Sequence, residues 1–235
     1  RVADMGAIAD IAKRHNVLLV VDNTFTTPAS YRPFDHGADI VLHSVTKLLA
    51  GHSDVTLGYV ASKDPDIQKP IYDAAVTWGM TPSPYECWLA ERGLHSFGLR
   101  FERAQQNASA LADHLAGLTG VAQVYYPGRA DHPDHNRARA VLGDNPGNML
   151  SFRLNGGREA ANAFTKAAPH IPFAPTLGDV GTTLSHPASS SHRALSEQDR
   201  QKLGITQGFF RVSVGIEDID QLKSEFAAAV KASAV

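Results

Sequence analysis

Two apolar runs, each ending in a burst of small polar residues, constrain this chain more than any other feature. Val17-Leu18-Leu19-Val20-Val21 is unbroken and rich in β-branched residues, and it stops at Asp22-Asn23-Thr24. Such a run reads as a buried strand of a parallel sheet. Asp39-Ile40-Val41-Leu42-His43 repeats the pattern and delivers Ser44-Val45-Thr46-Lys47. Ligands of open α/β sheets bind in the crevice beyond the strands' carboxyl ends, so the two runs aim Asp22, Ser44, Thr46 and Lys47 at one place. Ala3 to His15 carries apolar residues at Met5, Ile8, Ile11 and Ala12, which is helical spacing. With a further strand at Leu57–Ala61, the order helix, strand, loop, strand, lysine loop, strand predicts a parallel α/β sheet.

The four polar residues also have a shared chemistry. A Schiff-base enzyme needs a lysine amine for the cofactor aldehyde, a carboxylate to keep the pyridine nitrogen protonated, and small donors for a phosphate. Lys47, Asp22, Ser44 and Thr46 can fill those roles for pyridoxal 5'-phosphate (PLP). Taken singly each residue is ordinary, because an Asp after a strand is usually a cap or turn residue and a Ser-x-Thr-Lys can lie on a solvated surface. It is their order, each at a strand end, that chance rarely supplies.

Downstream, Asp64 to about Leu118 reads as mostly helical, interrupted at Thr81-Pro82-Ser83-Pro84 and weakened at Gly93 and Gly98. Strands follow at Val121–Tyr126, Met149–Leu154 and Phe209–Val214. Helices are expected around Asp134–Leu142, Arg158–Ala168 and Ser196–Leu203, with a last one opening at Asp218. The sequence thus divides into 1–118 and 119–235, the second part a smaller α+β domain with an antiparallel sheet.

At 235 residues the chain can bury a substantial core. Its net charge is -2, and no stretch combines basic residues with aromatics, so nucleic acid is not an expected partner. No apolar stretch has the length of a membrane span. Cys87 is the single cysteine, which rules out an intrachain disulfide and fits a reducing compartment, so a cytoplasmic location is expected. Between Glu86 and Trp88 in a helix, Cys87 reads as a buried small hydrophobe. His132-Pro133-Asp134-His135 is the densest histidine cluster, but its proline-broken spacing reads as a solvated turn, and no metal is expected. The Gly-x-Ser-x-Gly, P-loop and Gly-x-Gly-x-x-Gly patterns are missing.

The stretch from Val20-Val21-Asp22-Asn23-Thr24-Phe25 through Arg32-Pro33, Gly37-Ala38-Asp39, His43-Ser44-Val45-Thr46-Lys47 and Gly51-His52-Ser53-Asp54 resembles the cofactor-lysine signature of the Cys/Met-metabolism (transsulfuration) enzymes. Ser83-Pro84, Trp88-Leu89, Arg92-Gly93-Leu94 and Tyr126-Pro127-Gly128 are similar to that family's central segments. Leu177-Gly178-Asp179, His186-Pro187-Ala188-Ser189 and Arg211-Val212-Ser213-Val214-Gly215-Ile216-Glu217 resemble its C-terminal segments, so the likeness runs along the whole chain.

The resemblance implies the type I PLP fold, with 1–118 as the C-terminal part of the cofactor-binding large domain and 119–235 as the small domain. By matching position, Lys47 would carry the cofactor, Asp22 would face its ring nitrogen, and Ser44 and Thr46 would contact its phosphate. Arg211 would hold the substrate's α-carboxylate through its planar fork. Thr176 stands where the family commonly has a serine, and His186-Pro187-Ala188-Ser189 would lie near the same carboxylate. Several members carry a glutamate where this chain has Gly181.

The implied activity is γ-elimination or γ-replacement on sulfur-containing or O-acylated homoserine-type amino acids, as in cystathionine or methionine γ-lyases and cystathionine γ-synthase. Alternatives are an O-acetylhomoserine sulfhydrylase, another type I PLP enzyme such as an aminotransferase, and a non-catalytic truncated subunit. The family sets a large segment ahead of its aspartate, so the chain is expected to be a fragment lacking roughly 150 residues, about one domain. A homo-oligomer, commonly a tetramer built from dimers, is the implied assembly.

Overall fold

The computed structural model describes residues 1–234, which divide into two compact units. The first comprises Arg1–Leu99 with Asn136–Asn145, and the second Arg100–His135 with Pro146–Val235. The boundary expected at 118/119 therefore falls inside the second unit. Helix α5 (Phe97–Ala116) explains this, because from Arg100 onward it buries Phe101, Ala104, Ala108, Leu111, Ala112 and Leu115.

In the first unit, α1 (Met5–Arg14) is capped by Asp4, whose carboxylate accepts from the Ala7 amide at 3.0 Å. It leads to β1 (Val20–Asp22), β2 (Ile40–Ser44) and β3 (Gly58–Ala61), in that order across one sheet. A four-residue helix, α2 (Thr27–Ser30), lies between β1 and β2. β1 runs parallel to β2 with Asp22 opposite Leu42, as expected. Two expectations fail here. The first strand is short and the run leading into it is largely uncovered, with Val17 and Leu18 each 58% exposed; among the described residues β1 pairs with β2 alone. β3 runs antiparallel to β2. A parallel return needs a crossover, usually a helix; instead the lysine loop closes on itself through Thr46 N–H to Leu57 O at 3.2 Å and sends the chain back.

The helical stretch resolves into α3 (Pro65–Thr77), α4 (Pro84–His95) and α5, broken where the two prolines of Thr81–Pro84 were expected to break it. Ser83 caps α4 by accepting from Glu86 N–H at 3.1 Å. Gly93 lies inside α4 because its backbone meets the lysine loop: a Cβ there would stand 2.5 Å from Ala50 O and 2.9 Å from Ala50 Cα. Cys87 is exposed, not buried, since α4 turns only Ala90 and Gly93 fully inward. α6 (His135–Leu142) follows the His132–His135 turn.

The second unit holds an antiparallel sheet of β4 (Val121–Tyr125), β5 (Met149–Leu154), β7 (Phe209–Ser213) and β6 (Thr183–Ser185), in that order. β6 was not legible as a strand, being three residues long at the sheet edge. α7 (Gly157–Ala167), α8 (Glu197–Lys202) and α9 (Ile219–Ala232) complete the unit, and Asp218 caps α9 by accepting from Asp220 and Gln221 amides at 3.0 Å each. Phe152 packs on Phe164 and Phe210 at 5.4 Å between ring centroids and meets Phe226 edge-on. Alternation along β5 and β7 drives this: Leu150, Phe152 and Leu154 and then Phe210 and Val212 face the core, while Ser151 and Arg211 face away from it.

Candidate functional site

In the first unit the two strand ends are tied by side chains. Asp22 Oδ1 accepts from Thr24 N–H at 3.0 Å and from the Thr24 hydroxyl at 2.6 Å, and Thr24 Oγ1 in turn accepts from Ser44 N–H at 2.8 Å. With its proton committed to Asp22, the Thr24 hydroxyl can only accept from Ser44. The bridge thus fixes the carboxylate against the strand that delivers the lysine. Thr24 was not among the expected site residues, although its position two residues after Asp22 is a turn-closing spacing. Asn23, buried behind, bonds Tyr31 O at 2.9 Å through its amide and sets the turn's course.

Asp22, Ser44 and Thr46 line one open cleft of about 430 Å³, with His43 and Tyr59 also on its wall. Asp22 itself remains exposed at the strand end. The Thr46 hydroxyl accepts from Leu57 N–H at 3.0 Å and lies 3.3 Å from Leu57 O, which closes the lysine loop. His43, next to Ser44 on β2, is buried, and burial holds its imidazole below the ordinary value, opposed by the nearby Asp22 charge.

Lys47 follows on the adjoining half-buried turn and is not among the cleft-lining residues. Its amide donates to Ser44 O at 3.1 Å and its carbonyl accepts from Gly51 N–H at 2.8 Å. Val45, Ala50, Val55 and Ala90 form a small apolar cluster beneath that turn. Glu86 on α4 accepts from Thr56 N–H at 3.1 Å and pins the far end of the loop. The lysine is therefore carried by a loop anchored on both sides, as a group that must present one amine repeatedly requires.

In the second unit, Arg211 and Thr176 come together: Arg211 Nη2 lies 3.4 Å from the Thr176 carbonyl. The guanidinium is half-buried, and desolvation lowers its pKa. Among the described residues no carboxylate forms an ion pair with it. A partly desolvated cation lacking a protein counter-charge suits an anionic ligand. The His186–Ser189 segment begins beside the edge of the same sheet, with Ser185 paired to Arg211 in register. His186 Nε2 donates to Gln207 O at 2.8 Å, which leaves Nδ1 to accept from the Ser189 hydroxyl at 2.9 Å.

A carboxylate at one strand end, hydroxyls at the next and an amine just beyond form a donor set that fits PLP. A family model described as Cys/Met metabolism PLP-dependent enzyme matches residues 1–231. Cystathionine beta-lyase MetC of Bacillus subtilis is 41% identical over 230 residues, covering 98% of this chain and 58% of that protein. L-methionine gamma-lyase of Pseudomonas putida is 39% identical over 233 residues, covering 99% and 58%. Among solved structures, cystathionine gamma synthase from Xanthomonas oryzae pv. oryzae superposes with a TM-score of 0.93 at 39% identity, covering 99% of this chain and 60% of that one. The chain spans about three fifths of the length of these relatives.

Proposed function

The chain belongs to the Cys/Met metabolism PLP-dependent enzymes and has their type I fold, and from that premise we propose that its protein eliminates or replaces a γ-substituent on a sulfur-containing or O-acylated homoserine-type amino acid. The observation that carries this reading is the Asp22–Thr24–Ser44 bridge, which fastens a carboxylate to the strand leading into Lys47. PLP, when bound, supplies an electron sink for the substrate's α carbon.

The chain's own groups do the rest. Lys47 would hold the cofactor through its amine and, freed by substrate, would take the α proton, pass it on, and then remove a proton from the β carbon, which lets the γ group leave. Asp22 keeps a proton on the ring nitrogen. Ser44 and Thr46 hold the phosphate. Arg211 grips the substrate carboxylate beside Thr176, and because it makes no ion pair among the described residues, substrate binding supplies its counter-charge. After the γ group leaves, water gives a 2-oxo acid and ammonia, whereas a thiol gives replacement. The likeness to a cystathionine beta-lyase favours one second reading, elimination at the β carbon, which keeps the role of Arg211 and asks of Lys47 only the α-proton transfer.

We also assign the protein to a homo-oligomer in the cytoplasm. The first unit's exposed Tyr72, Trp78, Met80 and Trp88 support an apolar contact surface. No helix among the described residues is long and apolar enough to cross a membrane.

The test is to express the full reading frame with PLP, record the visible absorbance, and map the site of borohydride trapping. Trapping on Lys47, with loss of the band and of turnover in Lys47→Ala, is the expected result. Substantial turnover in Lys47→Ala would sink the mechanism. Product analysis on cystathionine, methionine and O-acylhomoserines with and without thiol then separates γ-elimination, γ-replacement, β-elimination and transamination.

A further inference from the structure

Arg211 and Ser213 lie two residues apart on β7 and so face the same side of the sheet. Each reaches the same loop. Arg211 Nη2 is 3.4 Å from Thr176 O, and Ser213 Oγ accepts from Gly178 N–H at 2.8 Å. The strand and the loop are therefore held in register by two side chains, at loop positions that are also two residues apart. Gly178 is buried, with φ of 82°, so the chain turns there in a conformation that favours glycine. Its amide would be a buried donor without a partner if the Ser213 oxygen were removed.

The far end of the loop is fixed independently. Ile216 N–H donates to Val180 O at 2.9 Å, and Glu217 accepts from both the amide and the hydroxyl of Thr182. Thr182 Oγ1 accepts from Gly215 N–H at 2.9 Å, and Asn107 on α5 holds the carbonyls of Gly215 and Glu217. Gly215 has no room for a side chain, since a Cβ would lie 2.2 Å from Val180 O. Against this rigid end, the Ser213 bond sets where Gly178, and with it the Thr176 carbonyl, stands. Asn148 supports Ser213 from behind, donating to its oxygen at 3.3 Å and to Val214 O at 2.9 Å.

We propose that Ser213 is a positioning residue for the substrate carboxylate: by holding Gly178 it fixes the Thr176 carbonyl that orients the Arg211 guanidinium. This rests on the role of Arg211 argued above. Ser213 is buried, with Gly178 and Asn148 as its partners, and acts through Arg211.

The experiment uses the full-length, PLP-loaded enzyme and compares Ser213→Ala, Ser213→Cys, Arg211→Ala and the double variant Ser213→Ala/Arg211→Ala. In Ser213→Ala the KM for the amino acid is expected to rise about tenfold, with kcat changed less than about threefold and the visible band and Lys47 trapping unchanged. Ser213→Cys, close in shape and a weaker acceptor, gives the same split at smaller amplitude. In the Arg211→Ala background, Ser213→Ala adds little, because the group it positions is gone. An unchanged KM in Ser213→Cys or Ser213→Ala overturns the proposal, and so does a full multiplicative effect in the double variant. If Ser213→Ala does not fold, Ser213→Cys alone decides through the same KM and kcat comparison. A wild-type enzyme with no trappable band defeats the functional reading itself, and the Ser213 proposal with it.

Discussion

In the second unit Phe152, Phe164, Phe210 and Phe226 are fully buried around one centre, whereas in the first unit Tyr72, Trp78, Met80, Tyr85 and Trp88 on α3, α4 and their link are exposed. The contrast extends to the strands. Every core-facing residue of β5 and β7 is closed over by α5, α7 and α9, while Val20 of β1 and Tyr59 and Val60 of β3 are open. The apolar cluster of the first unit lies beneath the lysine loop, where Gly93 meets Ala50 and Val45, Val55 and Ala90 pack. A self-contained scaffold and a site-bearing unit with uncovered apolar surface are thus joined in one chain. The second resembles a finished domain; the first leaves open to solvent large apolar side chains of the kind that interfaces bury.

Stability should divide the same way. Phe152→Ala is expected to cost about 3–5 kcal/mol in denaturant unfolding, the range for emptying a fully packed aromatic site. Trp78→Ala, although it removes a larger side chain, should change the stability of this chain by no more than about 0.5 kcal/mol, because the indole is 80% exposed. Comparable losses from both would break the contrast. The same Trp78→Ala change made in the full-length protein should weaken assembly, read as a shift to smaller species by sedimentation.

Within the first unit the lysine loop should be the exception. Gly93→Ala drives a methyl into the Ala50 backbone, and backbone cannot swing aside as a flexible side chain does. The expected cost is about 1–3 kcal/mol from overpacking. Amide exchange around Val45–Gly51 should accelerate, and cofactor retention in the full-length protein should fall. Unchanged exchange there would show that α4 does not hold the loop.

The sequence carried the second unit better than the first, for physical reasons. β5 matches its expected span, Met149–Leu154, because alternation over six residues has one interpretation when one face is buried. The run at Val17–Val21 reads as buried because apolar residues in a strand ordinarily are; its exposure is a property of what covers it, which pattern cannot report. The direction of β3 depended on whether the lysine loop crosses over or closes, and the deciding bond, Thr46 N–H to Leu57 O, has no sequence signature. Asp22, Ser44, Thr46 and Lys47 were legible because strand ends are. Ser213 was not, since it acts by accepting a backbone N–H from Gly178, distant in sequence; for Thr24 only the local bond to Asp22 has a sequence signature, and the bond from Ser44 has none.

The smallest expected effect uses one buried histidine from each unit. His43 and His186 both titrate below the ordinary imidazole value, chiefly through burial. The unfolded chain takes up a proton near pH 6.5, whereas the folded chain takes it up only at lower pH. Between those points the unfolded state binds more protons, so stability rises with pH through the window and falls as pH drops below about 6.5, levelling off under the folded value. The two sites differ in what a proton would meet. His186 donates through Nε2 to Gln207 O and accepts at Nδ1 from Ser189, whose oxygen accepts from Arg158 at 2.7 Å, so a second proton breaks a committed relay next to a cation. His43 has a buried Nδ1 with no hydrogen-bond partner among the described residues and the Asp22 charge nearby, which partly offsets burial. Amide exchange measured from about pH 5 to 8 should therefore show a steeper acid loss in β5 and β7 than in β1 and β2. His186→Gln should flatten the first slope and leave the second unchanged, and His43→Gln should do the reverse. Equal slopes in both sheets, unaffected by either substitution, would mean that the acid response arises elsewhere in the chain.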